Sequence, residues 1–507
     1  MPSPVTHAVA CGLAAVAVVL GLPRAVVGQL ERSGGEFQVN TFTLGNQAQP
    51  AAAMAAAGPS VVVWAANAPP RVLGQRYDAA GAPLGGELLV NSFTEGDRTY
   101  PAVASAADGA FVVVWSSTHL GEESISARRF DAAGAPQGSE FRVDSAPFDG
   151  LQHPPAVAVD ADGDFVVVWR RFYESPFISN VFARRYDSGG TPAGAEFRVN
   201  EFATSFPGPP SIAMNGGGDF VVAWHNADDY GAVGARLFAS GGTPASGDVA
   251  IDTSTSTKLG TAAAMQADGS FVVVWNQSNP RRIRGRRYDT TGNAIDAAFE
   301  VAPVPAPSFP HLAATAGPDG NFLVAWEQSA PDDGDASGVR AQYFGPAGGA
   351  LGAPLLVNTF TAGAQEWPSV ATDGKRFLVA WQSDGAPPQD GAAAGVFAQM
   401  LRVAASPTPT ETATVTPTST PSASPSDSPS PPASPSDPPT AAATATVTPA
   451  ASQPTAGPNA PVVPAAAPAL DGWAWSAVVA ALVGIAARAM RRRGRHPPAA
   501  DRWRLLS

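Results

Sequence analysis

Asp160, Asp162 and Asp164 alternate in the run DADGDF, and Asp332, Asp333 and Asp335 crowd the run PDDGDASG. Closely spaced carboxylates are what a hard cation such as Ca2+ needs, because it is bound through several oxygens at once. The same runs suit plain Asp-Gly turns, in which the carboxylate caps nearby N–H groups and glycine takes the left-handed conformation. Both readings stand, so Ca2+ is the one cofactor the residues offer. Arg171, Tyr173 and Glu174 follow Trp169 closely. An arginine for a sugar carboxylate with a tyrosine and an acid is the chemistry of acidic-glycan cleavage, although solvated loop residues account for the same types. Phe172, Tyr173, Phe177, Tyr230 and Trp367 are rings that suit sugars and proteins alike. Phe172, Tyr173, Glu174, Tyr230 and Trp367 form the candidate ligand-binding set. His119, His153, His225 and His311 stand at no metal-ligand spacing, and no GxSxG, Walker or HExxH motif occurs. A non-catalytic protein is expected.

The elements that would carry these residues recur. A tryptophan ends an apolar run at Trp64, Trp115, Trp169, Trp224, Trp275, Trp326 and Trp381, at spacings of 51 to 55 residues. Such a period marks a repeat architecture. The run reads FVVVW from Phe111, Phe165 and Phe271, FVVAW from Phe220, and FLVAW from Phe322 and Phe377. Unbroken β-branched and aromatic residues indicate a strand covered on both faces. In the unit Pro101 to Asp144, four strands follow one another as PAVAS, FVVVWSS, ISARRFD and EFRVD. Asp-Gly turns at Asp108, Asp162, Asp268 and Asp319 precede the second strand. Four strands per unit predict an all-β fold, a seven-bladed β-propeller. The first EF-x-VN strand, Glu36 to Asn40, precedes any blade, while the last blade stops at its third strand, at Val403. Docking these together closes the ring and removes two open edges. Arg76, Arg128, Arg129, Arg184, Arg185, Arg286 and Arg287 recur at one position of successive units, which predicts structural bonds to backbone carbonyls or carboxylates.

Residues 36 to 403, with their DG-x-FVVVW, GV-x-ARRFD and EF-x-VN motifs, resemble the seven-bladed propeller repeats of bacterial surface proteins. They are also similar, more weakly, to the FG-GAP repeats of integrin-type receptors, whose acidic loop before the apolar strand binds calcium. Sialidases are propellers too. Their Ser-x-Asp-x-Gly-x-x-Trp box is not met, because Ser105 precedes Asp108 by three positions.

Outside the body, residues 1–28 hold the apolar stretch AVACGLAAVAVVLGL and small residues Val26 and Gly28 before Gln29, as in a secretory signal. The single cysteine, Cys11, lies there, so the processed chain has no thiol, disulfide or thiolate-bound zinc. Residues 404–469 are rich in Pro, Ser, Thr and Ala without one aromatic residue, a composition for a disordered, extended stalk. Residues 470–490 provide about 30 Å of apolar helix, enough for a membrane span. The basic tail, 491–507, predicts a cytoplasmic end, and the layout resembles bacterial sorting tails. Net charge is -12, and the last twenty residues contribute seven Arg against one Asp, leaving -18 on the rest. Such a body repels nucleic acid. The loops between second and third strands differ sharply from unit to unit, as in STHLGEES, RRFYESPFISN and QSDGAPPQDGAAAG. The expectation is a monomeric, membrane-tethered surface module that binds a glycan or a surface protein through this variable loop face. A sialidase-like hydrolase and a structural spacer are the alternatives.

Overall fold

In the computed structural model the described residues are 28–404, without 120–121, 146–151, 175–176, 202–206, 227–231, 255, 306–309, 330–335 and 385–393. The leader before Gly28, the stalk beyond residue 404, the apolar span and the basic tail lie outside them. Among the described residues no helix is long and apolar enough to cross a membrane.

Seven antiparallel sheets make up the body, six of them running from an inner strand outward in chain order and the seventh completed on its outer side by N-terminal strands. Blade one, for example, comprises Gln47–Met54, Ser60–Asn67, Pro70–Tyr77 and Leu88–Leu89. The inner strands, from Gln47–Met54 round to Gln365–Thr372, each touch the inner strands on both sides, so they close a ring about a central axis. Val, Phe and Trp form the second strand of every blade because both of its faces are buried, and pleated β-branched residues fill both. In Ser60–Asn67, Val62, Trp64 and Ala66 pack against blade seven, while Val61 and Val63 pack against blade two. This alternation repeats at each blade boundary, and the core consists of seven apolar layers between blades. Each repeat tryptophan is buried in the layer it shares with the preceding blade.

Ring closure follows the expectation and extends it. Phe37–Gln38 pairs with the third strand of blade seven, Gly395–Val403, placing Phe37 opposite Ala398 and Gln38 opposite Phe397. A further strand not foreseen from the repeats, Leu30–Arg32, pairs with the other end, from Leu30 opposite Val403 to Arg32 opposite Leu401. Asn40 accepts a hydrogen bond from Val396 N at 2.8 Å. Asn91, Asn200 and Asn358 cap Val72, Val181 and Val339 in the same way.

The paired arginines are the seams. The arginine at the first position, alone in blade four and first of a pair in blades two, three and five, donates backward to the outer strand of the preceding blade: Arg128 to Val90 O, Arg184 to Val143 O, Arg236 to Val199 O and Arg286 to Ile251 O. The arginine at the next position, which in blade one follows Gln75, donates forward to the next blade: Arg76 to Ala132 O, Arg129 to Gly189 O, Arg185 to Gly241 O and Arg287 to Pro346 O. Blade seven has Gln399 at the backward position, and Arg32 takes over by donating through Nε to Val357 O at 3.0 Å. The acidic residue that opens the outer strand in five of the blades adds a second seam. Glu140 accepts from Ser92 N, Glu196 from Ser145 N, and Glu36 from Thr359 and Phe360 N.

Two faces result. Inner strands begin, and second strands end, on the variable face, where the diverse loops emerge. The opposite face carries the turns between first and second strands, whose glycines Gly109, Gly163, Gly269 and Gly320 have φ of 80° to 92°. Val403 also ends on that turn face, and Ala404 N donates to Gln29 O at 2.7 Å.

Candidate functional site at the axial mouth

Four inner strands reach the variable face through a β-bulge with a residue of positive φ, between Ala48 and Ala51, Thr99 and Ala102, Leu259 and Thr261, and Glu366 and Ser369, while a fifth bulge, between His153 and Ala156, contains two prolines instead. In those four the bulged residue takes positive φ: Gln49 at 56°, Tyr100 at 53°, Gly260 at 61° and Trp367 at 55°. For a side chain as large as Tyr or Trp this is strained backbone, held only by its surroundings, and such strain gathers at functional sites. A proline follows three of the four, at Pro50, Pro101 and Pro368.

The bulges bring side chains from four blades together around the axis. The Trp367 ring stacks on His311 at 3.7 Å between centroids and is tilted on Tyr100 at 6.1 Å. His311 Nδ1 lies 2.9 Å from Glu327 Oε2. On the other side Tyr100 N donates to Gln49 Oε1 at 2.7 Å, Gln49 N donates to Gln382 Oε1 at 3.4 Å, and Gln382 Nε2 donates to Asp384 Oδ1 at 2.9 Å. Trp367, Tyr100 and Glu366 are half-buried, so the rings keep an accessible edge. Burial pushes the Glu366 carboxyl up to about 7, and the neighbouring Glu327 and Asp384 carboxylates add to this against the pull of His311. At neutral pH the mouth therefore holds a carboxyl that can donate as well as accept.

A raised carboxyl pKa in the folded state means that the folded chain keeps a proton the unfolded chain has released. Stability due to Glu366 accordingly falls as pH rises from about 4.5 towards 7, and is level outside that window. Glu366→Gln is expected to melt with the parent at pH 4 and several degrees above it at pH 8, measured by differential scanning calorimetry.

Of the residues singled out in the sequence, Trp367 falls in this mouth. Phe172 and Tyr173 lie on the second strand of blade three, Phe165–Glu174, which Glu174 ends and which pairs with Phe177–Tyr186 in a hairpin longer than its counterpart in blade one. Arg171 on the same strand is engaged internally. It forms a two-pronged bond to Glu196, at 2.6 and 2.9 Å, and its guanidinium lies 4.3 Å from the Phe182 ring. Asp160, Asp162 and Asp164 are on the turn face. Asp160 Oδ1 accepts from Asp162 N and Asp164 N at 3.0 and 2.9 Å, and Asp164 Oδ1 accepts from Ser188 N at 2.8 Å, so two of the three carboxylates are occupied in shaping the turn. Burial pushes the Asp160 carboxyl above its usual range against the pull of the Asp164 N–H. Among the described residues no group of three or more His, Cys, Asp or Glu is arranged to hold a metal ion. Tyr230, Asp332, Asp333 and Asp335 lie outside the described residues.

Sequence reading missed Gln49, Tyr100, Glu327, Glu366, Gln382 and Asp384. The available signal was the X-Pro step at Gln49, Tyr100 and Trp367, which aligns only once the inner strands are laid over one another.

No family model matches the chain, and no curated protein matches it. Solved structures similar to it include a protein of unknown function from Dyadobacter fermentans, with 12% identity and a TM-score of 0.47, covering 74% of this chain and 99% of that one. An α-L-arabinofuranosidase from Fusarium graminearum follows at 11% identity and a TM-score of 0.43, covering 73% and 98%. The Hadza microbial sialidase Hz136 gives 10% identity and a TM-score of 0.42, covering 70% and 65%. At these values the likenesses assign no activity.

Proposed function

We propose that the protein is a non-catalytic recognition module that binds a glycan through the variable face of its propeller, centred on the axial mouth. It is held at the cell membrane or cell surface, outside the cytoplasm, by the C-terminal stalk and span, with the N-terminal segment as its secretory signal. The observation that carries the reading is the Trp367, His311 and Tyr100 array, built on strained backbone and bordered by Glu327, Glu366 and Asp384. Half-buried aromatic faces accept the C–H face of a sugar ring, and carboxyl groups beside them meet its hydroxyls. Binding without turnover is supported by Arg171, the arginine offered for an acidic substrate, being spent on Glu196 and Phe182. A screen of immobilised glycans against the purified protein tests this. Trp367→Ala should weaken the captured glycan at least about tenfold, or ~1.4 kcal/mol, without lowering the melting temperature. Binding indifferent to that substitution, or release of free sugar, would overturn the proposal.

A further inference from the structure

The variable face carries a second feature away from the axis. Between blades four and five a cleft of about 570 Å³ opens, lined by Asp252, Thr257, Trp275, Ser278, Arg284 and Arg286 among others. The residue opposite the repeat tryptophan, on the third strand, is Leu73, Ser126, Phe182, Gly234 and Phe397 in blades one to four and seven. In blades five and six it is an arginine, Arg284 and Arg340, and Arg284 lines the cleft. Arg282, Arg284 and Arg286 alternate along Arg281–Tyr288, so all three project from one side of it.

The charges in the cleft do not cancel. Arg282 is paired with Glu300. Asp252 lies 3.5 Å from the fully buried Lys258 and accepts from Trp275 Nε1 at 3.1 Å. Burial disfavours the Asp252 anion, but bonds from Ser254 and the Lys258 charge hold its carboxyl below the usual range. Arg284 and Arg286 are left without a carboxylate partner among the described residues. Carbonyl oxygens aim them instead: the backbone Ala298 O and the side-chain Gln277 Oε1 for Arg284, and the backbone Asp296 O and Ile251 O for Arg286. Arg284 Nε is buried without a partner. A guanidinium fixed in this way presents a planar donor edge, the geometry that matches a carboxylate or sulfate.

We infer that this cleft is a second binding site, for the anionic group of an acidic saccharide, with Arg284 as its main contact and Arg286 as its support. The volume admits one or two sugar units, and the Thr257 and Ser278 hydroxyls supply neutral partners for sugar hydroxyls. It is separate from the axial mouth, and neither proposal depends on the other.

Affinity electrophoresis of the full-length protein through gels containing polygalacturonate, dextran sulfate or neutral dextran tests the inference. Retardation is expected in one or both acidic gels, not in neutral dextran, with at least a tenfold loss in Arg284→Leu and no change in Trp367→Ala. Polygalacturonate alone would identify the carboxylate as the ligand group, and dextran sulfate alone the sulfate. Should Arg284→Leu lower the melting temperature, Ser278→Tyr serves in its place, since it fills the cleft and leaves the arginines intact. Equal retardation in neutral dextran, no retardation in either acidic gel, or binding unaffected in both Arg284→Leu and Ser278→Tyr would overturn the inference.

Discussion

Deleting residues 28–40 is expected to abolish the cooperative unfolding transition of the propeller, leaving a soluble aggregate or a broad melt in calorimetry. The deletion removes both strands that cover the outer flank of Gly395–Val403, so a strand paired on two sides becomes a naked edge. Leu30 and Val39, each nearly fully buried, contribute about 1.5 to 3 kcal/mol apiece. The bonds of Asn40 to Val396, Glu36 to Thr359 and Phe360, and Arg32 to Val357 go with them. Bonds to charged groups are worth about 1.5 to 3 kcal/mol each. Together these match most or all of the ~5 to 15 kcal/mol by which a domain is ordinarily stable. A melting temperature within a few degrees of the intact chain would show that the ring does not rely on this closure.

Trp381→Ala should cost more than any other single truncation among the repeat tryptophans except its counterpart Trp64→Ala. Trp381 has no exposed surface and packs against Leu323, Ala325 and Val339 across the boundary with blade six. Emptying such a site costs about 3 to 5 kcal/mol. Its indole Nε1 also donates to Gln365 Oε1 at 2.9 Å, and Gln365 is itself fully buried, so the substitution strands an amide oxygen at a further cost of about 1 to 3 kcal/mol. Trp115 provides the control, because its Nε1 has no hydrogen-bond partner among the described residues. In urea titrations Trp381→Phe should therefore destabilise clearly more than Trp115→Phe. Equal losses would mean that the Gln365 bond is worth nothing.

The blade was legible because its signals are periodic and chemical at once. The tryptophan run, the Asp-Gly turn and the EF-x-VN strand each answer a need that recurs seven times, so drift in one copy is corrected by the others. The arginine pair was legible as structure for the same reason, and the pleat sends its two side chains to opposite faces, though which one meets the preceding blade depends on register and not on residue type. Leu30–Arg32 was invisible: it occurs once, and nothing in Leu-Glu-Arg distinguishes a strand from a linker. The axial mouth was mostly hidden as well. Trp367 was noticed as a ring, but Tyr100 and Gln49 share its place only through a bulge whose positive φ no residue but glycine advertises. His311 and Glu327 meet because neighbouring strands of blade six pair, with Leu312 opposite Trp326. The five arginines between Arg281 and Arg287 were plain in the sequence, yet only the register separates those that stitch blades from the one facing open space.

The adjoining positions of Gln29 and Ala404 bear on mechanics. In the proposed tethered, ligand-binding role, tension entering at Ala404 would run lengthwise along Gly395–Val403. That strand is bonded to Arg376–Ser383 on one flank and to Leu30–Arg32 and Phe37–Gln38 on the other. The load is thus taken in shear by many bonds together and shared between two flanks, instead of peeling them one at a time as a pull across the strand would. A molecule fastened in this manner can be tugged from its mooring without its ring being unpicked.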